Sequence, residues 1–169
     1  VVIEEFSDFG CSHCGDFARE NKKLIEDEYI QTGQVYLVFH SVGDLLGAPA
    51  TFQAAEAAYC AGDQDAFWSF HDLLFANQAA LFTNPGADIS RTMDTFAVIL
   101  ELDQEQFNAC LTSGKYLSKA VEDKELAVSN GVSGTPSFLI NGELLVGNQP
   151  YSVFQQTIDS ALSTEEAAR

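Results

Sequence analysis

Cys11-Ser12-His13-Cys14 stands between an extended β-branched and aromatic run, residues 1–6, and a helix-length segment that reaches Tyr29. A C-x-x-C pair at such a junction puts its first sulfur at a helix start, where unpaired N–H groups and the helix dipole favour an anion. The placement points to dithiol chemistry rather than to packing. Residues 35–39 repeat the strand character after the polar stop Thr32-Gly33-Gln34, so the first third reads as strand, helix, strand, a right-handed βαβ unit.

From residue 47 to 114 the strand signals vanish and helical stretches follow one another. Phe52, Ala55 and Tyr59 share a face, Asp65 is placed to cap a helix over 66–76, and Ile89, Met93, Phe96, Ala97 and Leu100 form a stripe. Asp103 and Gln106 make the pattern of a capping box ahead of Phe107, Cys110 and Leu111. Residues 77–89, with Asn84-Pro85-Gly86, read as the loop of this helical insertion. A further helix from Lys115 stops at Asn130-Gly131. Residues 136–140 and 143–146 then flank Asn141-Gly142, a two-residue hairpin signal. Pro150 opens a last helix with Phe154, Ile158 and Leu162 on one stripe, and 163–169 read as a frayed tail.

With 169 residues, 46% of them hydrophobic, the chain can bury the core of one compact unit, or of one unit with an insertion. A formal charge of −17, from 25 Asp and Glu against 8 Lys and Arg, argues against nucleic acid and anionic membranes as partners. No apolar run approaches the roughly 18 residues of a membrane span. The chain opens at Val1, inside the first strand and without Met, which leaves room for a leader or a membrane tether ahead of it.

A βαβ half joined to a ββα half, with C-x-x-C after the first strand and Thr135-Pro136 before the third, resembles the thioredoxin superfamily. The helical insertion, Gly134-Thr135-Pro136 and Gly147-Asn148-Gln149-Pro150 narrow the resemblance to its DsbA-like branch, across nearly the whole chain. The resemblance implies an α/β thioredoxin fold: residues 1–46 and 115–162 form the thioredoxin unit, 47–114 an inserted helical domain and 163–169 a flexible tail. It also implies a thiol-disulfide oxidoreductase that needs no cofactor and passes a disulfide between Cys11-Cys14 and client proteins. A redox partner then resets the pair. The setting would be extracytoplasmic, and the size suits a monomer.

Within that resemblance Cys11 is the cysteine a client attacks, with a pKa below the unperturbed value of about 8.5. Cys14, one turn into the helix, resolves the mixed disulfide. Glu5, six residues before Cys11, matches a carboxylate of the DsbA family and is a candidate proton relay for Cys14; Glu4 alternates with it, so only one of the two should face inward. His13 is expected to tune the thiolate. Ser12 replaces the Pro often found at its position, and Asp8 and Asp16 crowd the motif with negative charge, so the strength of the oxidant stays open. The expected potential lies between about −120 and −230 mV. For Thr135-Pro136 the family implies a cis bond opposite Cys11, with the Thr135 backbone free to pair with an extended client; a trans Pro opening a strand is the alternative.

Cys60 and Cys110 both fall on apolar helix faces in the insertion, and a structural disulfide between them is expected, with two buried free thiols as the alternative. Such a bridge would favour an oxidising compartment. Cys60, Cys110, His40 and His71 are too scattered for a zinc site, so no metal is expected, and both histidines read as packing residues. Two other functions stay open: an isomerase or reductase on the same scaffold, and a non-catalytic chaperone that grips clients beside Thr135.

Overall fold

The computed structural model of the chain describes residues 1–43 and 49–168, with the side chain of Pro49 left aside. Its sheet has the order β2-β1-β3-β4, from β1 (Val2–Ser7), β2 (Tyr36–Ser41), β3 (Ser137–Ile140) and β4 (Glu143–Val146). β1 runs parallel to β2 and antiparallel to β3, so it is central, and Glu5 sits opposite Phe39 on one side and Phe138 on the other. The parallel pair is joined through α1 (Ser12–Glu20), the short α2 (Lys22–Ile25) and a π-helical turn over Glu26–Ile30. Asn141 and Gly142 both take positive φ, 48° and 88°, the two-residue turn that matches strand twist and joins β3 to β4.

Alternation along β1 divides the core. Ile3 joins Phe17, Phe138, Phe154 and Ile158, which bury α1 and α9 (Tyr151–Ala167) on one face. Phe6 points the other way, with Leu139, Val132 and Ala127, beneath α8 (Leu117–Ser129). α8 ends in a Schellman motif: the Val132 N–H reaches the Ala127 carbonyl and the Gly131 N–H that of Val128, with Gly131 at φ 76°.

Between β2 and α8 run α3 (Pro49–Gly62), α4 (Phe67–Ala76), α5 (Gln78–Phe82), α6 (Ile89–Ile99) and α7 (Gln104–Ser113). Their core, with Phe70, Phe96, Ala97 and Phe107, also takes in Phe9, Cys14 and Phe39 from the sheet side. The expected Cys60–Cys110 bridge is present and ties α3 to α7. The expected boundary at 46/47 lies outside the described residues. On the buried face of α8, one turn before Ala127, Asp123 receives hydrogen bonds from Tyr59 Oη (2.6 Å), the Ser41 N–H (3.2 Å) and Lys119, and contacts His40 Nδ1 at 2.7 Å. Burial pushes its pKa up, but these partners outweigh burial and hold the carboxyl below its usual range. His40 and Ser41, the last two residues of β2, both belong to this network.

Three local expectations need correction. Asp65 does not cap α4; it takes φ 60° and ends α3, with its N–H on the Gly62 carbonyl and the Ala66 N–H on that of Ala61. Short polar side chains tolerate that left-handed conformation better than most. Residues 77–89 are not all loop, because α5 forms where Gln78 and Leu81 are buried. Residues 163–167 are not a frayed tail: α9 continues to Ala167, packed by Ala161 and Leu162 and held where Asn141 Nδ2 donates to Glu165 Oε1 at 2.7 Å. Arg169 lies outside the described residues. The Asp103 cap forms as expected with the Gln106 N–H, but the Asp103 N–H donates to Gln64 Oε1 instead of to Gln106.

Closing a loop of 50 residues should constrain the unfolded chain by about 4 kcal/mol. Replacing both Cys60 and Cys110 by Ala is expected to lower the urea-unfolding free energy by that order, with thiol exchange at Cys11 and Cys14 retained.

Candidate active site

Cys11 is the N-cap of α1, with extended φ and ψ of −78° and 122°. A tight turn delivers it there: the Cys11 N–H bonds to the Asp8 carbonyl at 3.0 Å, and the Gly15 N–H closes the first helical bond on the Cys11 carbonyl. Gln78 holds this turn from outside the thioredoxin half, donating through Nε2 to the carbonyls of Phe9 (2.8 Å) and Cys11 (2.7 Å). Gly15 leaves room for the clamp, since a Cβ there would lie 2.3 Å from Gln78 Oε1.

The two sulfurs differ in environment. Cys11 is half-buried and Cys14 fully buried. The Cys11 thiol points at the Thr135 carbonyl, 3.5 Å away, across a Thr135–Pro136 peptide bond that is cis. The pKa of Cys11 falls to about 5: a hydrogen bond from the Cys14 thiol is the largest cause, burial opposes it, and the Thr135 side chain and the N–H groups of Cys14 and His13 add to the lowering. Burial pushes the Cys14 thiol strongly upward, and the Cys11 thiolate adds to that, although the Asp8 N–H donates to its sulfur at 3.5 Å. The pair can therefore present one thiolate outward and keep one thiol inward at neutral pH.

Glu5, not Glu4, faces the interior; it is completely buried, and desolvation raises its pKa to about 7. A carboxyl that titrates there can give or take a proton at neutral pH. Ser12 and His13 are exposed. The His13 imidazole is directed to solvent, with Asp16 at 3.9 Å, and its main-chain N–H is the part that reaches the Cys11 sulfur. Asp16 is paired with Arg19 at 2.8 Å. Asp8 is buried; desolvation raises its pKa first of all, the Gly10 N–H at 2.8 Å lowers it, and Cys11 raises it further.

Cys60 and Cys110 lie apart from this site, in their bridge. His71 is buried among Phe9, Phe39, Phe67, Trp68 and Phe75, with Nδ1 on Asp72 at 2.8 Å. Among the described residues no three His, Cys, Asp or Glu side chains converge on a metal position. Ser7 and Gln78 are site residues that sequence reasoning did not single out. For Ser7 the available signal was its spacing of two from Glu5, which puts both on one face; Gln78 carried none, since its acceptors are main-chain atoms.

The thioredoxin family model matches residues 1–160. The Na(+)/H(+) antiporter NhaA 3 of Salinispora tropica is 35% identical over 154 residues, covering 90% of this chain but 22% of the antiporter. The chain thus spans less than a quarter of the length of the antiporters it matches. A probable disulfide bond formation protein D of Bacillus cereus is 30% identical over 96% of this chain and 74% of its own. Among solved structures, alpha-DsbA1 of Wolbachia pipientis superposes with a TM-score of 0.85 at 23% identity, over 99% of this chain and 88% of that one. Oxidised BdbD of Bacillus subtilis gives 0.82 at 22%, over 96% and 87%.

Two titrations check the electrostatics. Alkylation of Cys11 in the reduced protein should be half-maximal near pH 5 rather than near 9. The folded value is depressed, so the stabilisation of the reduced form is fully present above pH 9.0 and is lost as pH falls through about 5. Glu5 has the opposite sign: between pH 4.5 and about 7 the unfolded chain ionises it while the folded chain does not. Glu5→Gln should therefore match the wild type in urea unfolding at pH 4 and exceed it, by on the order of 3 kcal/mol, above pH 7.

Proposed function

The chain belongs to the thioredoxin family, in its DsbA-like branch, and from that membership we propose that it is a thiol-disulfide oxidoreductase acting on client proteins through Cys11 and Cys14. One observation carries the proposal: a low-pKa sulfur at a helix start, facing the Thr135 carbonyl, stands over a buried partner whose proton is held tightly. Stabilising the Cys11 thiolate stabilises the reduced dithiol, and that makes the disulfide the stronger oxidant.

Exchange starts when a client thiolate attacks Cys11 Sγ. The Cys11–Cys14 bond breaks, Cys14 leaves with the electron pair and takes a proton, and Cys11 is joined to the client. A second client thiolate attacks the client's sulfur in this mixed disulfide, forms the client disulfide and releases Cys11 as a thiolate. Glu5 is the proton source for Cys14, and Ser12 and His13 set the strength of the pair. An extended client lies beside Thr135 and Pro136, and a redox partner reoxidises the dithiol. We place the reaction outside the cytoplasm, whether tethered to a membrane or free; the Cys60–Cys110 bridge supports an oxidising compartment. Its size, which suits one compact unit, supports a monomer. Residues 1–46 and 115–162 act as the thioredoxin unit, and 47–114 as the inserted domain that holds it from the side.

A glutathione redox titration tests the direction. The Cys11–Cys14 potential is expected between about −120 and −230 mV, and a value near −270 mV, that of thioredoxin, would overturn the oxidase reading. Cys11→Ser should abolish exchange and Cys14→Ser should trap the client on Cys11. A Cys11→Ser protein that still protects unfolded clients to the full extent would identify a binding module instead.

A further inference from the structure

Glu5 and Ser7 stand two residues apart on β1, so both side chains leave one face of the sheet, opposite to that of Phe6 and its strand partner His40. Both are completely buried, and neither carboxylate oxygen of Glu5 nor Ser7 Oγ makes a hydrogen bond with any of the described residues. Buried polar atoms without partners are uncommon and call for a reason. Cys14 is anchored beside them, its sulfur 3.5 Å from the N–H of Asp8, the residue after Ser7. The Ser7 hydroxyl stands close enough to stabilise the charged forms of both Glu5 and Cys14, yet neither contact reaches hydrogen-bond geometry in the reduced protein.

On the oxidoreductase reading above, we infer that Ser7 is the relay that carries the proton between Glu5 and Cys14. A hydroxyl donates and accepts at once, so it can pass a proton without holding a charge. When the client thiolate breaks the Cys11–Cys14 bond, Cys14 Sγ takes the Ser7 proton, Ser7 Oγ takes the proton of the Glu5 carboxylic acid, and Glu5 is left as a carboxylate. When Cys14 attacks a mixed disulfide on Cys11, each transfer reverses: Glu5 ends protonated, the Cys11–Cys14 bond forms and the other thiolate departs. The charged groups around this path are Lys22 of α2, which favours the Glu5 carboxylate, and Asp72 of α4, which opposes it. Lys22 and Asp72 are themselves paired at 3.2 Å, and His71 pairs with Asp72. Asp8 and Cys11 lie at the Cys14 end, and β3 contributes the apolar Phe138.

Oxidised glutathione supplies the test, because it separates the two steps. Reduced protein first forms a Cys11–glutathione mixed disulfide, and Cys14 then expels glutathione; acid quenching and mass spectrometry follow both. Ser7→Ala, which adds no atoms, should leave the first step and the Cys11 titration unchanged and slow the second about tenfold or more at pH 7. The second step in the wild type should rise with pH through the Glu5 titration near 7, and Ser7→Ala should lose that inflection while Ser7→Thr recovers it. Glu5→Gln should show the same loss, and the double variant Ser7→Ala with Glu5→Gln no further loss. An unchanged second step in Ser7→Ala, or losses that multiply in the double variant, would overturn the relay alone. A wild type that forms no mixed disulfide at Cys11 would overturn the oxidoreductase reading and the relay with it.

Discussion

Two sulfur atoms share one proton at the start of α1, and the rest of the structure serves that inequality. The Cys14 thiol is the largest influence that lowers Cys11, and Cys11 in turn raises Cys14. The asymmetry needs one sulfur at the helix end, where N–H groups are unpaired, and the other a turn inside, out of water. A C-x-x-C on a helix gives this spacing only if the first cysteine is the cap residue itself. The Asp8-to-Cys11 turn and the pairing of β1 on both sides place it there.

The helical insertion is more than a covering. Phe9, Cys14 and Phe39 belong to the same buried cluster as Phe70, Phe96 and Phe107, so the wall behind the inner sulfur is built largely by the insertion. Gln78 then reaches from α5 to the main chain of Phe9 and Cys11, so displacing α5 would displace the cap residue. The Cys60–Cys110 bridge braces the helices behind this wall, and the Asp123 network ties α3 and α8 to the end of β2.

What could be read from the sequence was what depends on near neighbours. Asn141-Gly142 specifies its turn through two positive φ values, the Cys11 to Cys14 spacing a single helical turn, and the stripe through Met93 and Phe96 its helix face. Alternation let only one of Glu4 and Glu5 face inward once a strand was accepted there, and the family resemblance pointed to Glu5. The elements that eluded that reading are held by distant or main-chain partners. α5 is short and weakly patterned, and Gln78 finds its acceptors 67 and 69 residues away. Asp123 looks like one more surface acid of a −17 chain until Tyr59, His40 and Ser41 meet it. Asp65 was assigned to the wrong helix because Asp suits both an N-cap and a left-handed terminator, and only the approach of the chain decides between them.

That high negative charge raises the question of why a thiolate survives among carboxylates, and the allocation of hydrogen-bond donors answers it. In isolation Cys titrates far above Glu, 9.0 against 4.5; here Cys11 falls to about 5 while Glu5 rises to about 7. Cys11 receives a thiol, the Thr135 side chain and two main-chain N–H groups, whereas the Glu5 oxygens receive no hydrogen bond of good geometry from the described residues. Asp16, expected to oppose the thiolate, is taken up by Arg19, and Asp8 absorbs its conflict with Cys11 by a raised pKa of its own. The ordinary order of acidity is therefore inverted at one point in the fold. The sulfur carries the negative charge, and the carboxyl beneath it keeps a proton that neutral pH can still remove.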